Sequence, residues 1–412
     1  MRALVLEGGG GKGAYQMGAL LALREANHRY DLVTGSSVGA LNGLLLVTDQ
    51  LDLGLRYWWN MSWGGVLRFR TLSLISLALQ PFYWIGRLFG RHILGTHADP
   101  FDGLVRVVAV AVIWTVVAFP MIAISNFFGA SIPLMLIFYP VVLAVLLSIP
   151  YLVVVLGFTA FRPRPLQTLI WEATAKFALQ SRLIITLTED RQSFDPDDPA
   201  ITTSPGLAYG LTRDTAVSGT KSFPWYVDAE SLSTEDLRAI CLATSALPHG
   251  IFPAIRWRGK IFIDGGVSDN LPVYPALNCA DVSNLTVIRL RPHKPADIFD
   301  AWQTSDRLLR LRDLTIEQSK ALRSVPGSAE TVRRFWPPVF LPFREPPHVV
   351  TQPLVIAPKT DLGGFVFGTL NFSRAKSRQL LQLGWQDCRH ALGCPESLEL
   401  LLPVTRLLAR SN

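Results

Sequence analysis

The feature that most limits how this chain can fold is a long stretch without ionisable side chains. Residues 107–161 are 55 consecutive positions that contain no Asp, Glu, Lys, Arg or His. A bilayer core about 30 Å thick is crossed by about 20 helical residues. The stretch therefore suffices for two crossings, and we predict transmembrane helices near 104–124 and 132–160. Two buried helices of a soluble core are the alternative, although such helices rarely run this long without a charge.

Basic residues lie on both sides of the stretch. Arg87, Arg91 and Arg106 precede it, Arg162 and Arg164 follow it, and the predicted connecting turn contains no basic residue. Loops on the cytoplasmic side of a membrane carry an excess of Lys and Arg. We therefore expect a multi-pass membrane protein with both flanks, and the rest of the chain, on the cytoplasmic side.

The remainder of the 412-residue chain has the composition of a globular domain. Its 357 residues carry all 71 charged side chains, about 20%, which is close to the ~25% of ordinary soluble domains. The formal net charge is +7, but no basic run alternates with aromatic residues. This pattern predicts no nucleic-acid partner and favours the surface of a lipid bilayer. The four cysteines lack the spacing of zinc ligands, so no metal site is expected.

A glycine-rich turn opens the chain. Residues 3–6 predict a short buried strand, and residues 14–24 predict a helix with one apolar face. The turn between them reads Gly8-Gly9-Gly10-Gly11-Lys12-Gly13. A turn of this kind before a helix presents backbone N–H groups to an anion. The spacing also fits a dinucleotide fingerprint, but the acidic residue expected at the end of the second strand is missing, because Asp31 begins that strand.

The second motif is a serine between two glycines. Gly35-Ser36-Ser37-Val38-Gly39 follows an apolar strand and leads into a helix. A GxSxG sequence at this junction is typical of a nucleophile elbow, in which a sharp turn exposes the serine hydroxyl and the glycines leave room beside it. An ordinary strand–helix turn with a capping serine is the alternative.

The third motif is an aspartate on a glycine turn. Residues 260–263 predict a strand that ends in Asp264-Gly265-Gly266. Taken alone, this pattern is also that of a hairpin turn. A nucleophilic serine needs a proton acceptor, and none of the seven histidines follows the expected Ser-Asp-His order. His249, which lies nearest to a motif, is interpreted as structural, so a Ser–Asp dyad is the simplest assignment.

Together, these motifs resemble those of the patatin-like phospholipase family, and they occur in that family's order. Two supporting segments, Ala243–Pro248 and Asn270–Val273, are similar as well. The resemblance covers roughly residues 3–95 and 162–290. The chain departs from the family pattern in the long insertion of about 50–165, which contains the predicted membrane helices.

The resemblance implies an α/β fold, namely a patatin-like three-layer α/β/α sandwich with a Ser-Asp dyad, interrupted by two transmembrane helices. Residues 1–95 would form the first part of the patatin-like domain, with the glycine loop and the nucleophile elbow. Residues 104–160 would form the transmembrane hairpin. Residues 162–290 would form the second part, with the DGG motif, and 291–412 a C-terminal helical and loop region that completes the domain.

The resemblance also assigns roles to residues at matching positions. Ser37 would be the nucleophile and Asp264 the base that accepts its proton. The backbone amides of Gly9, Gly10 and Gly11 would form the oxyanion hole. Lys12 is expected to hold the loop or to face a lipid phosphate, and a plain surface lysine is an equal alternative.

The implied reaction is ester hydrolysis through an acyl-serine intermediate, with no metal or cofactor. The expected partners are a phospholipid or other acyl-lipid substrate and the lipid bilayer. We therefore expect a membrane-anchored serine lipid acyl hydrolase of the phospholipase A or lysophospholipase type. A lipid transacylase would pass the same acyl group to another lipid. A catalytically silent patatin-fold module that binds lipid or a partner is the alternative from a different class, and the intact motifs argue against it.

Three further segments have weaker patterns. The acidic cluster at 195–198 suggests calcium or, more simply, a solvated turn. The basic stretch at 296–345 fits a surface that rests on anionic lipid or an ordinary solvated face. A closing helix is predicted over 372–392.

Overall fold

The computed structural model describes part of the chain, namely residues 1–62, 68–69, 161–162, 164–175, 178–189, 208–209, 223–247, 252–278, 281–294, 296–306, 353–364 and 368–394. The predicted membrane helices at 104–124 and 132–160 lie outside these residues, as do the acidic cluster and His249. Among the described residues, none of the helices has the length and apolar character that a bilayer crossing requires.

The contacts divide the chain into two compact units. The first unit consists of Met1–Leu67, Pro163–Ala246 and Ala254–Asn412, and the second of Arg68–Arg162 and Leu247–Pro253. The strands are β1 (Arg2–Leu6), β2 (Leu32–Ser36), β3 (Arg68–Phe69), β4 (Phe161–Arg162), β5 (Arg182–Glu189), β6 (Ala208–Tyr209), β7 (Phe223–Asp228), β8 (Ile255–Trp257), β9 (Lys260–Asp264), β10 (Asn284–Ile288) and β11 (Leu354–Ile356). The described part of the second unit contains one antiparallel pair, β3 with β4.

The helices of the first unit alternate with its strands. They are α1 (Gly13–Glu25), α2 (Val38–Val47), α3 (Leu51–Trp59), α4 (Arg164–Ala173), α5 (Thr234–Thr244), α6 (Val273–Asn278) and α7 (Arg374–Ala391). Residues 297–306 are helical as well. The predicted closing helix corresponds to α7. The C-terminal region also supplies strand β11, which the sequence did not predict.

The first unit is built on a mixed sheet with the strand order β11-β10-β1-β2-β5-β7-β6. The strands from β11 to β5 are parallel, whereas β7 and β9 run antiparallel to β5. Residues 3–6 of β1 and 32–36 of β2 are buried along their whole length. Parallel strands covered on both faces read as continuous apolar runs, which explains the sequence of β1. The predicted α/β class is confirmed.

Strand β5 brings the carboxyl ends of two other strands, β2 and β9, together. Its residues 182–186 pair with β2, and its residues 187–189 pair with β9. Strand β7 pairs with residues 184–189 and so fills the opposite edge. Strands β2 and β9 therefore lie end to end along one edge of β5. Their carboxyl ends meet where Thr186 and Leu187 follow each other.

Helices α1 and α7 pack with their backbones close together. A Cβ atom added at Gly18 would overlap the carbonyl oxygen of Leu381, and one at Gly384 would overlap that of Tyr15. The hydroxyl of Tyr15 donates to Asp387 over 2.9 Å, and the indole of Trp385 donates to Glu25 over 2.9 Å. The C-terminal helix is therefore part of the same packed core as the chain opening.

Candidate active site

Ser37 occupies a sharp turn between β2 and α2. Its backbone has φ 52° and ψ −126°, and the residue is only 7% exposed. A non-glycine residue at positive φ costs on the order of 1–3 kcal/mol and persists only where its surroundings impose it. A Cβ at Gly39 would overlap the carbonyl oxygen of Leu6, and one at Gly35 would overlap the Gly39–Ala40 backbone. Both flanking glycines are therefore required by close backbone contacts.

Asp264 lies at the end of β9 and is in direct contact with the serine. The Ser37 hydroxyl donates to Asp264 Oδ2 over 2.7 Å, and the Gly266 amide donates to Asp264 Oδ1 over 2.7 Å. The carboxyl group is buried, with 3% of the residue exposed. A Cβ at Gly265 would overlap the carbonyl oxygen of Thr186, so this turn fits tightly against β5.

The short contact follows from the sheet. Ser36 pairs with Thr186, and Asp264 pairs with the next residue of β5, Leu187. The last residues of β2 and β9 thus face each other although they are far apart in sequence. Because β5 is held on its other edge by β7, the two ends have little freedom to separate.

Burial raises the pKa of Asp264 from its ordinary 3.8 to about 6. The hydrogen bonds from Ser37 and Gly266 lower the pKa and so oppose part of this shift. A carboxylate with a pKa of about 6 is a stronger base than an ordinary aspartate and is still ionised at neutral pH. The site therefore holds a serine hydroxyl against a carboxylate suited to accept its proton.

The rate of reaction at Ser37 should depend on pH through Asp264, because only the ionised carboxylate accepts a proton. We expect kcat/KM for an uncharged, soluble ester to be constant above about pH 7 and to fall roughly tenfold per unit below about pH 5.5. A rate profile from about pH 4.5 to about pH 8.5 checks this. A rate that stays constant down to about pH 4.5 would contradict the raised pKa.

The glycine loop lies beside the serine. A Cβ atom added at Gly8 would lie 3.3 Å from Ser37 Cβ. Residues Gly10–Lys12 form one turn of 3₁₀ helix, and Gly10 has φ 54°, a left-handed conformation that favours glycine. Among the described residues, the amides of Gly9, Gly10 and Gly11 donate no hydrogen bond to the protein. These amides are therefore available to an anionic oxygen.

Two other segments hold this loop. The Gly8 amide donates to the Asn270 carbonyl oxygen over 2.9 Å, and Asn270 Nδ2 donates to the Gly8 carbonyl oxygen over 3.1 Å. Side chains at Gly10 and Gly11 would overlap the carbonyl oxygens of Thr369 and Asn371, respectively. The C-terminal segment 368–371 therefore fixes the position of the loop, although it lies more than 350 residues away in sequence.

Two residues that sequence reasoning did not assign to the site support the serine and the loop. Thr244 lies at the end of α5. Its hydroxyl accepts a hydrogen bond from the Ser37 amide over 2.9 Å and donates one to the Thr186 carbonyl oxygen over 2.7 Å. Asn270 joins the loop to the segment after the DGG turn. Both lie in the two supporting segments of the family resemblance, Ala243–Pro248 and Asn270–Val273, but no local sequence pattern predicts a contact for either side chain.

Lys12, at the end of the glycine loop, lies against the C-terminal segment. Its Nζ lies 3.7 Å from Asp361 Oδ1, and a Cβ at Gly368 would contact Lys12 Cε. In the part of the chain that the structure describes, there is no group of three His, Cys, Asp or Glu side chains that could hold a metal ion.

The chain is similar to known proteins. A family model for patatin-like phospholipases matches residues 4–108 and 156–277. Lysophospholipase nte1 of Aspergillus terreus (strain NIH 2624 / FGSC A1156) is 48% identical over 97 residues, which are 23% of this chain but only 6% of that protein. The crystal structure of VipD from Legionella pneumophila is 13% identical, with a TM-score of 0.37, over 95% of this chain and 66% of that chain. Because the family model matches more than half of its residues, the chain belongs to the patatin-like phospholipase family.

Proposed function

We propose that the chain is a serine lipid acyl hydrolase of the phospholipase A or lysophospholipase type. The observation that carries the proposal is the 2.7 Å hydrogen bond from Ser37 Oγ to the buried Asp264 carboxylate. Membership in the patatin-like phospholipase family supports a lipid ester as substrate. The 97-residue match to a lysophospholipase supports the same chemistry.

The first half of the proposed reaction forms an acyl-serine. Ser37 Oγ attacks the carbonyl carbon of a lipid ester while Asp264 Oδ2 accepts its proton. The carbonyl oxygen becomes an oxyanion in the tetrahedral intermediate. When that intermediate collapses, the bond to the alcohol oxygen breaks, and the alcohol takes the proton from Asp264. The acyl group is then bound to Ser37 and Asp264 is ionised again.

The second half uses water in place of the alcohol. Asp264 removes a proton from the attacking water, the second tetrahedral intermediate forms, and its collapse returns the proton to Ser37 Oγ. The products are a free fatty acid and the regenerated enzyme. Because Asp264 alternates between base and acid, a pKa of about 6 suits both halves of the cycle.

The glycine loop is the proposed oxyanion hole. The amides of Gly9, Gly10 and Gly11, which donate to no described residue, follow Gly8 at the serine, and the N-terminus of α1 after them adds positive potential. A preorganised donor of this kind contributes about 3–4 kcal/mol to stabilisation of the transition state. The contacts with Asn270 and with segment 368–371 hold these donors in position before the charge develops.

A lipid panel tests the proposed activity. The purified full-length protein in detergent is incubated with phospholipids, lysophospholipids and neutral acylglycerols, and both products are quantified. We expect fatty acid and deacylated lipid to appear in equal amounts. Acyl groups recovered on a second lipid would indicate a transacylase. The absence of any product from folded protein would contradict the hydrolase proposal.

We further propose that the charge-free stretch anchors the enzyme in a membrane, with Ser37 on the cytoplasmic side. Attachment beside the bilayer raises the effective concentration of the site at its lipid substrate. Deletion of 104–160 should therefore reduce hydrolysis of vesicle lipid about tenfold more than hydrolysis of a soluble ester. Equal losses on the two substrates, with Ser37 still reactive, would contradict the anchor.

A further inference from the structure

A cavity lies next to the glycine loop. Its volume is about 290 Å³, and it is bounded by Glu7–Gly9 on one side and by Leu290 and Arg291 on another. Asp361, Gly363, Gly364 and Thr369 close its third side, and Lys12 completes the lining. Gly8 belongs both to this lining and to the contact with Ser37. The cavity is therefore adjacent to the proposed site of acyl transfer but separate from the dyad.

The position of the cavity in the sheet is that of a ligand site. Glu7 follows β1 directly, and Leu290 and Arg291 follow β10, which is the parallel neighbour of β1. From β1 the chain crosses through α1 to β2 on one side, whereas β10 and β11 lie on the other. Ligands of open α/β sheets bind outside the carboxyl ends of the strands where the strand order reverses.

Two cationic side chains, Arg291 and Lys12, line the cavity and have N–H groups that can bind a ligand. The side chain of Arg291 is 56% exposed, and only its Nε is engaged, donating to Glu7 Oε1 over 2.5 Å. The remaining guanidinium N–H groups contact no partner among the described residues. Lys12 is the second cation, and its ion pair with the exposed Asp361 is 3.7 Å long.

The lining contains two carboxylates, Glu7 and Asp361, and neither contacts the outer edge of the Arg291 guanidinium. Glu7 is 1% exposed, and it already accepts hydrogen bonds from the Leu290 amide over 2.7 Å and from Arg289 Nε over 3.3 Å. Glu7 thus holds Arg291 through its Nε, and Glu7 shares Arg289 with Asp297, to which Arg289 Nη1 donates over 2.6 Å. A planar guanidinium held by its Nε presents its other edge in the geometry that suits two oxygens of a phosphate.

From this arrangement we infer that the cavity binds the phosphate of a phospholipid head group and that Arg291 determines the preference for phosphate-bearing substrates. The inference rests on the proposed function, because it places the head group beside the acyl ester attacked by Ser37. Lys12 is the secondary contact. The assignment predicts that a substrate without phosphate loses this interaction although its acyl ester is unchanged.

The test compares two substrates with the same acyl chain, a lysophosphatidylcholine and a monoacylglycerol. The quantity measured is the ratio of their kcat/KM values in wild type and in Arg291→Gln. We expect the ratio to fall at least about tenfold, mainly through KM for the phospholipid, because a charged hydrogen-bond partner is lost. Arg29→Gln removes an exposed arginine before the amino end of β2, whereas the cavity lies at the carboxyl ends of the strands, and it should leave the ratio unchanged.

An unchanged ratio in Arg291→Gln would overturn the inference, because Arg291 would then serve only to neutralise Glu7. If Arg291→Gln does not fold, Arg291→Lys keeps the charge beside Glu7 and loses the planar fork. Its ratio should still be at least about threefold below wild type. A ratio for Arg291→Lys equal to that of wild type would overturn the inference as well.

Two binding experiments complete the test. The first distinguishes a head-group site from a site for free phosphate, and the second distinguishes failure of the cavity assignment from failure of the proposed function. Glycerophosphocholine should compete with lysophosphatidylcholine at least about tenfold more strongly than inorganic phosphate does, because it includes the head group. The reverse order would indicate a free-phosphate site and overturn the head-group assignment. Phosphorus NMR line broadening of glycerophosphocholine by Ser37→Ala, and its loss in Ser37→Ala/Arg291→Gln, reports the cavity without turnover. A protein that binds in this way but hydrolyses nothing would disprove the proposed function and leave the cavity assignment standing.

Discussion

Replacement of Ser37 by alanine should reduce hydrolysis of every lipid ester by about 10⁴-fold or more, as expected when a nucleophile is removed from a group that acts as a unit. Alanine keeps the Cβ at the strained turn, so the backbone requirement of φ 52° is unchanged. The main structural loss is the hydrogen bond to Asp264. A hydrogen bond to a charged group contributes about 1.5–3 kcal/mol, which is less than the stability of a typical domain, about 5–15 kcal/mol, so the protein should remain folded.

The adjacent serine provides a matched control. Ser36 is also buried, and among the described residues its hydroxyl has no hydrogen-bond partner. Ser36→Ala therefore removes the same atom one position away without removing an interaction. We expect fatty-acid release within about threefold of wild type, because the substitution removes no hydrogen bond from the site. Comparable losses in Ser36→Ala and Ser37→Ala would contradict the assignment of Ser37.

Replacement of Asp264 by asparagine should slow turnover by about 10²–10⁴-fold, the usual contribution of a general base. The substitution is conservative in shape. The amide oxygen can still accept from the Gly266 amide, and the amide nitrogen can donate to Ser37 Oγ in place of accepting from it. Activity near that of wild type would exclude Asp264 as the base.

The same substitution should make the protein more stable at neutral and higher pH. The pKa of Asp264 is about 6 in the folded protein and 3.8 in its ordinary state, so the carboxyl group favours folding fully below about pH 4 and loses that contribution as pH rises through 6. The shift corresponds to about 3 kcal/mol at about pH 8. Asparagine carries no charge to bury and does not lose this contribution.

Thermal unfolding at about pH 4 and at about pH 8 measures this effect. We expect Asp264→Asn and wild type to melt together at the lower pH and the variant to melt higher at the upper pH. Asp269→Asn is the matched control, because burial also raises the pKa of Asp269 to about 6. Asp269 contacts Tyr226 and Leu271, not Ser37. The control should share the gain in stability and keep its turnover.

The parts of the site that the sequence predicted are those with local patterns. An apolar strand followed by GxSxG specifies a sharp turn because each glycine is required by a neighbouring backbone, as Gly39 is by Leu6. The glycine-rich opening and the DGG turn are local in the same sense. Such motifs can be placed on elements without knowing the rest of the fold.

The contacts between the motifs depend on strand pairing, which no local sequence pattern specifies. Ser37 and Asp264 meet because β9 takes over the edge of β5 where β2 ends, and a strand sequence does not state its partner. The contact of segment 368–371 with the glycine loop is made by carbonyl oxygens, which every residue type has. Strand β11 has three residues, too few for a periodic signal. No sequence pattern marks Arg291, because its position beside the glycine loop depends on the pairing of β10 with β1.

The most direct test of the central claim is to locate the reactive serine chemically. The full-length protein is treated with a fluorophosphonate probe, digested, and the modified peptide is sequenced by mass spectrometry. We predict a single adduct on Ser37, present in wild type and in Ser36→Ala and lost in Ser37→Ala and on denaturation before labelling. An adduct on another serine, or no adduct on the folded protein, would contradict the assignment of Ser37 as the nucleophile.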